Sequence, residues 1–196
     1  MKIKITLLFL IFNAIPCISQ VATTAQTKIV GINRKEWSKE IALYQAKHFL
    51  FSEIIGTTTE ITRMEMIPLA AASSGELTTI LYKSEQKNKE GMILGFYTGY
   101  ENNFGLNRKE YEFKNFEKDK AIEFLNKIDQ AIIDNKPYLK DDNDNNNIFF
   151  KYDDIEILIT REDGQTKIRL FWKDFDSSWE GTAFGRSKRR FERKIK

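Results

Sequence analysis

The chain has 196 residues, of which 30% are charged, and a formal net charge of +3 at pH 7. Its one cysteine, Cys17, lies near the N-terminus, which excludes thiol catalysis, disulfide bonding and cysteine-ligated zinc for the rest of the chain. The single histidine, His48, has no second imidazole with which to share a metal. These counts exclude several common chemistries before any motif is considered.

The first nineteen residues predict a secretory signal peptide. Two lysines precede an apolar run from Ile5 to Ile15, and small or polar residues follow it. This is the order of the n-, h- and c-regions, and the run is too short to span a bilayer. We expect cleavage between Ser19 and Gln20 and a periplasmic or secreted location. Export without cysteines and a Lys/Asn/Ile-rich composition indicate a bacterial protein.

The positive charge is concentrated at the C-terminus. Residues 186–196 contain seven Lys or Arg and one Glu, a net charge of +6. Because the whole chain carries +3 and the two leader lysines contribute +2, residues 20–185 carry a net charge of −5. An acidic body with a basic end favours an anionic contact at that end.

The predicted mature chain begins with a loose polar tail over residues 20–32 and continues as a single domain over residues 33–196. Residues 34–55 are predicted to form a helix, with Asn33 and Glu36 as a capping box. Its predicted buried face contains apolar or aromatic residues at helical spacing, namely Trp37, Ile41, Tyr44, His48, Phe51 and Ile55. On that face His48 is interpreted as a core residue. The opposite face is also apolar, so a strand from His48 onward stays an alternative.

The middle of the chain alternates β-rich runs with one clear helix. Residues 57–69 are predicted to form a strand, and residues near 77–98 a hairpin, with a further strand around residues 111–113. A helix is predicted over residues 116–134. Its expected features are a cap at Asn115, a buried stripe, and an end at Asn135 and Pro137; the stripe consists of Ala121, Leu125, Ile128 and Ile132.

Residues 148–173 predict a three-stranded antiparallel meander. Asp153-Asp154 and Asp163-Gly164 are placed in two-residue turns, where Asp-Gly tolerates the positive φ of a type I′ hairpin. The register then places six pairs on one face: Ile148–Ile159, Phe150–Ile157, Tyr152–Ile155, Ile159–Ile168, Ile157–Leu170 and Ile155–Trp172. Lys151 falls opposite Glu156 on the other face. A slip of one residue would move every isoleucine to that other face, so the register is strongly selected.

These elements predict an α+β fold with one domain. An antiparallel sheet packs against the helix at 116–134, accompanied by the N-terminal helix at 34–55 and a basic C-terminal helix or arm.

The stretch "DDNDNNN" before the meander resembles part of a calcium-binding loop. Asp142, Asp144 and Asn146 match positions 1, 3 and 5 of an EF-hand, and Asp153 matches position 12. The extended residues between Asn147 and Asp153 would separate Asp153 from the loop by about 16 Å. We therefore predict a solvated loop without a metal or other cofactor, in which Asp142, Asp144 and Asn146 are weak metal candidates.

No catalytic residue can be nominated. The chain has no G-x-S-x-G elbow and no phosphate-binding glycine loop. Paired carboxylates could serve a hydrolase, but the sequence does not single out a pair.

The C-terminal tail has two interpretations. In the first, which we favour, a helix docks Phe184, Phe191 and Ile195 on the sheet, and its charges remain available as a secondary contact surface. In the second, the tail is a free adhesion patch. Either way the residues expected to contact a polyanion are Arg186, Lys188, Arg189, Arg190, Arg193 and Lys194.

The aromatic residues before the tail, Trp172, Phe175 and Trp179, are interpreted as core rather than as a sugar-stacking platform.

The predicted function is a non-catalytic binding or interaction module of the cell envelope or extracellular space. The expected partner is an envelope protein or an anionic envelope surface; export argues against nucleic acid, and no transmembrane segment is expected after cleavage. Two alternatives stay open, a hydrolase acting on an envelope polymer and a weak calcium-binding protein. The oligomeric state is not predicted.

Overall fold

A computed structural model describes residues 43–72, 74–101, 107–140 and 146–195. They form a single α+β domain with two four-stranded antiparallel sheets and three helices. The α+β class is therefore confirmed, although the strands form two sheets rather than the single sheet expected. The predicted signal peptide, the predicted tail and the first part of the predicted N-terminal helix lie outside the described residues.

The first sheet contains four strands in chain order, β1 (Glu65–Ala71), β2 (Leu77–Ser84), β3 (Lys89–Glu101) and β4 (Asn107–Glu117). The predicted hairpin is β2 and β3. The predicted strand over residues 57–69 was wrong in its first half, since β1 begins only at Glu65. Threonine hydroxyls there bond to the local backbone, as when Thr58 Oγ1 accepts from the amide of Glu60, and such contacts compete with a ladder.

The second sheet contains β5 (Ile148–Tyr152), β6 (Ile155–Glu162), β7 (Gln165–Trp172) and β8 (Phe175–Glu180). Three two-residue turns join them at intervals of ten residues, with positive φ at Asp153 (54°), Asp163 (51°) and Lys173 (53°). The fourth strand was missed because its turn has a lysine at the positive-φ position, where the other two turns have aspartate, a residue that adopts this conformation more readily.

The predicted register of the meander is confirmed. The observed partners include Ile148–Ile159, Phe150–Ile157, Tyr152–Ile155, Lys151–Glu156, Ile157–Leu170 and Ile159–Ile168. The β6–β7 ladder begins at Glu156–Phe171, so Ile155 and Trp172 lie one residue beyond it, both buried on the predicted face.

The second helix, α2 (Lys118–Asp134), follows β4 directly. Its predicted start at residue 116 and its predicted cap at Asn115 were wrong, because β4 extends to Glu117, which is the N-cap. Phe116 pairs with Met92 of β3 and buries its ring in the core, which keeps this stretch extended. The helix ends at Asn135, as predicted, and Asn135 Nδ2 donates to Ala131 O at 2.9 Å.

The first helix, α1, is α-helical over residues 43–49 and continues as a π-helix over Leu50–Ile55. The strand alternative was therefore wrong, and so was the predicted buried face. Tyr44 is 65% exposed and His48 is also exposed, whereas Ala46 and Leu50 are buried against the first sheet. Both faces are apolar, so the periodicity could not select the buried one. His48 is accordingly not a core residue.

The domain repeats one order of elements, because each sheet is followed by a helix: α2 after the first and α3 (Gly181–Lys194) after the second. At each junction an aromatic residue and a glutamate end the strand. Phe116 stacks on Phe124 of α2 with ring centroids 4.9 Å apart, and Trp179 meets Phe184 of α3 edge-on at 5.0 Å. An aromatic contact thus joins each helix to the strand that precedes it.

The inner faces of both sheets and the buried faces of α2 and α3 form one core. The sheets touch directly where Phe96 of β3 packs on Trp172 and Phe175, at centroid distances of 5.0 and 6.2 Å. A smaller cluster on the other face of the first sheet contains Ile80, Tyr82 and Ile93 with Ala46 and Leu50 of α1.

The central position of β6 in this core gives a stability prediction. Ile157→Ala should lower the free energy of unfolding by about 2–5 kcal/mol, because Ile157 is fully buried and its truncation leaves a cavity. Leu158→Ala is the matched control, since Leu158 lies on the opposite, partly exposed face of the same strand. Urea denaturation should show a clearly larger loss for Ile157→Ala. Equal losses would contradict the assignment of the inner face.

Candidate functional site

The basic C-terminal segment is a docked helix. Five residues of α3 and its C-cap are buried, namely Ala183, Phe184, Ser187, Phe191 and Ile195. They recur at steps of one, three and four residues, so they form one face, and the charged residues occupy the remainder of the surface. The structure thus shows the docked helix, the first of the two interpretations of the tail, rather than a free patch.

Polar contacts also fix the position of α3 on the first sheet. Ser187 Oγ lies 2.9 Å from Thr79 Oγ1, and both residues are buried. The guanidinium of Arg190 donates to Leu69 O in β1, and Lys83 Nζ donates to Lys194 O at the end of the helix. Because buried polar groups need hydrogen-bond partners, these contacts fix the rotation of the helix as well as its place.

Lys188 is a link between helices rather than part of a free surface. Its Nζ lies 3.1 Å from Asp129 Oδ2 of α2 and 2.9 Å from Glu192 Oε1, and its side chain is only 17% exposed. Burial by itself would lower the pKa of Lys188, but the hydrogen bonds to Glu192 and Asp129 outweigh burial and raise it. The sequence could not indicate this role, because Asp129 is far away along the chain.

Three arginines, Arg186, Arg189 and Arg193, lie opposite the buried face of α3 and are exposed to solvent. We call these three residues the crest. Their spacing of three and four residues places them on one side of a helix. Across the part of the chain that the structure describes, no carboxylate forms an ion pair with a crest arginine. The crest is thus a line of three available cations on a fixed support.

The six basic residues predicted to contact a polyanion therefore separate into three groups. Arg186, Arg189 and Arg193 form the crest, and Lys188 pairs with carboxylates. Arg190 and Lys194 are exposed on the flank facing the first sheet, where each also contributes the bond to that sheet described above.

The aromatic residues before α3 belong to the core. Trp172 is 5% exposed, Phe175 6% and Trp179 0%. Their faces are covered, so the interpretation as core is confirmed and a sugar-stacking platform at these residues was wrong.

A charged network lies where β4 passes the turns of the second sheet. Lys114 Nζ is 2.8 Å from Asp153 Oδ2 and 2.5 Å from Asp154 Oδ1. Trp172 Nε1 donates to Asp154 Oδ2 at 2.9 Å, and Lys173 of the third turn pairs with Glu112 of β4. No pattern in the sequence indicated this network, which joins residues from both sheets.

The network perturbs Asp154. Burial by itself would raise the pKa of Asp154, but the hydrogen bonds from Lys114 and Trp172 outweigh burial and lower it. The pKa of Lys114 is raised, since its bonds to Asp153 and Asp154 outweigh the opposing effect of burial. Both shifts favour the charged forms, so the network is a stabilising contact between the sheets.

The acidic loop is only partly described. Asp142 and Asp144 lie outside the described residues, while Asn146 Nδ2 donates to Tyr138 O at 2.7 Å. Asp153 lies beyond β5 in a turn and pairs with Lys114, so it is not in the position of an EF-hand's twelfth residue. Among the described residues, no group of three or more His, Cys, Asp or Glu is placed to hold a metal ion.

None of the described helices is long and apolar enough to cross a membrane. No protein-family model, curated protein or solved structure matches the chain.

The network around Asp154 gives a prediction with a pH dependence. Asp154→Asn removes the charge that Lys114 and Trp172 hold, and should cost about 0.5–1 kcal/mol at neutral pH because the carboxylate is partly exposed. The folded pKa of Asp154 lies below its ordinary value of 3.8, so the contribution is complete above pH 3.8 and is lost as the pH falls through the folded pKa. Urea denaturation of both proteins from neutral to acid pH measures this difference.

Asp174→Asn, at the equivalent position of the third turn, is the matched control and should show little loss. A difference between wild type and Asp154→Asn that stays constant at acid pH would contradict the role assigned to the charge.

We also predict no sizeable stabilisation by calcium. A calcium site filled at 100 times its Kd would add about 2.7 kcal/mol. Without such a site, the melting temperature should be the same in millimolar calcium and in chelator. A rise of several degrees that is abolished by Asp142→Ala combined with Asp144→Ala would show that the loop holds calcium.

Proposed function

We propose that the protein is an exported bacterial binding module without catalytic activity, which contacts an anionic surface of the cell envelope through the crest of α3. The observation that carries the proposal is the placement of Arg186, Arg189 and Arg193 on one exposed line, opposite the buried face of a fixed helix. Cations in a row that have no ion-pair partner among the described residues attract an anionic surface without first breaking such a pair.

The charge distribution supports an oriented contact. Residues 20–185 carry a net charge of −5, whereas residues 186–196 carry +6. An anionic surface attracts the helix and repels the body, so the field of the whole protein favours approach with α3 first. The strength of such a contact depends on ionic strength, because the Debye length falls to about 8 Å at 0.15 M salt.

The alternative of a hydrolase lacks a comparable observation. A glycosidase acid needs a carboxyl group with a raised pKa. The pKa of Asp154, which lies in the most densely charged cluster described above, is shifted downward instead. A lowered pKa keeps Asp154 charged, which suits an ion-pair partner for Lys114 rather than a proton donor.

Vesicle co-sedimentation tests the proposal. The chain from Gln20 onward should bind vesicles rich in phosphatidylglycerol at low salt and bind phosphatidylcholine vesicles weakly. Each basic residue near an anionic membrane contributes about 1 kcal/mol, so replacing all three crest arginines with glutamine should weaken binding by about two orders of magnitude. The melting temperature should change little, since exposed charges add little to stability.

A charge-matched control separates the crest from net charge. Lys120, Lys136 and Lys140 are exposed lysines on α2 and the segment that follows it, and replacing them with glutamine removes the same three charges. This control should bind nearly as well as wild type. If the crest variant binds like wild type, the proposal is overturned; if both variants lose binding equally, net charge rather than the crest is responsible.

A further inference from the structure

The crest is made of arginine in a chain that elsewhere uses lysine much more often than arginine. The sequence contains 22 lysines and 9 arginines, and four of those arginines fall within residues 186–193. Charge alone does not require this choice, because lysine would supply the same charge at each position. A guanidinium differs in geometry: it presents a planar fork of donors that matches the oxygens of a phosphate or carboxylate in pairs, while an ammonium acts as a point charge.

The helix keeps these forks available. Glu192 is the acidic residue nearest in sequence to the crest, and it lies three positions after Arg189 and next to Arg193. Its carboxylate is held by Lys188 at 2.9 Å, and Lys188 is held in turn by Asp129 at 3.1 Å. The lysine therefore engages the carboxylate that could otherwise pair with Arg189 along the helix.

The shape of the crest favours a flat partner. Arg186 and Arg193 are separated by seven residues, about 10 Å along the helix axis. They lie on the outermost line of a docked helix, which is convex. Thr182, one turn before Arg186, continues the same line and is exposed. Because the row runs nearly straight along the helix axis, all its members can contact a plane at once, whereas a flexible polymer is better held in a groove.

From these observations, and resting on the proposed function, we propose that the partner surface is a phospholipid leaflet and that the crest arginines bind its phosphate groups through paired hydrogen bonds. The helix axis then lies parallel to the membrane plane. The three arginines act as specific phosphate ligands and not only as positive charges.

Conservative substitution separates this inference from the proposed function. The variant with Arg186→Lys, Arg189→Lys and Arg193→Lys keeps every charge but loses the planar forks. Its affinity for phosphatidylglycerol vesicles should fall about tenfold relative to wild type. The reciprocal control, with Lys120, Lys136 and Lys140 changed to arginine, should bind like wild type. If the three crest lysines bind as well as the arginines, phosphate recognition is overturned while an electrostatic contact stands; if the glutamine variant also binds like wild type, both fail.

Competition with an anionic polysaccharide tests whether the partner is a phospholipid surface or a polymer. Polygalacturonate carries carboxylates along a flexible chain and should compete poorly with phosphatidylglycerol vesicles at equal anionic charge. Equal or stronger binding of the polymer would overturn the assignment of a phospholipid surface.

The predicted orientation has its own readout. The chain from Gln20 onward contains no cysteine, so a single thiol can be introduced and labelled with an environment-sensitive dye. A dye at Thr182→Cys should change its emission on addition of phosphatidylglycerol vesicles, and a dye at Lys136→Cys should not. A response at Lys136 with none at Thr182 would overturn the placement of α3 against the membrane.

Discussion

The contact between Phe96 and the pair Trp172 and Phe175 is the interaction on which the rest of the structure depends. The apolar inner face of each four-stranded sheet must be buried against another element, and here each sheet covers part of the other. Because Trp172 and Phe175 flank the third turn, closing that hairpin also completes the contact. Phe116 against Tyr152 adds a second aromatic contact between the sheets, 5.9 Å from centroid to centroid. The position of α3, and so of its arginines, follows from this shared core.

Charged side chains bond to the backbone at one edge strand of each sheet. At β1, Arg190 donates to Leu69 O, and at β8 the amide of Ser178 donates to Glu76 Oε2 at 3.1 Å. Unpaired backbone groups at a sheet edge invite pairing with another chain, and capping them with charges discourages it. Arg190 therefore serves the fold, although the sequence places it within the same basic run as the crest.

The sequence was most informative where local rules act in the same direction. In the meander, the strand period of two, the positive-φ turns and the burial of Ile155, Ile157 and Ile159 all specify one register. In α1 the rules gave no such agreement: both faces are apolar, and the π-helical residues from Leu50 onward alter the spacing on which the predicted face depended. The pairing of Lys188 with Asp129 was beyond local reasoning, because only the docking of α3 beside α2 brings the two together.

The docking of α3 gives the residues of the basic run different surroundings. The helical period distributes residues 186–194 around a cylinder, and docking then determines what each stripe meets. One flank meets the first sheet, another meets Asp129 of α2, and the line opposite the buried residues faces the solvent. A flexible arm with the same residues would need to order them on binding, at a cost for each side chain and backbone unit. In a docked helix the conformational entropy of the backbone is already lost during folding. Even a short row of three arginines can therefore act as an organised surface.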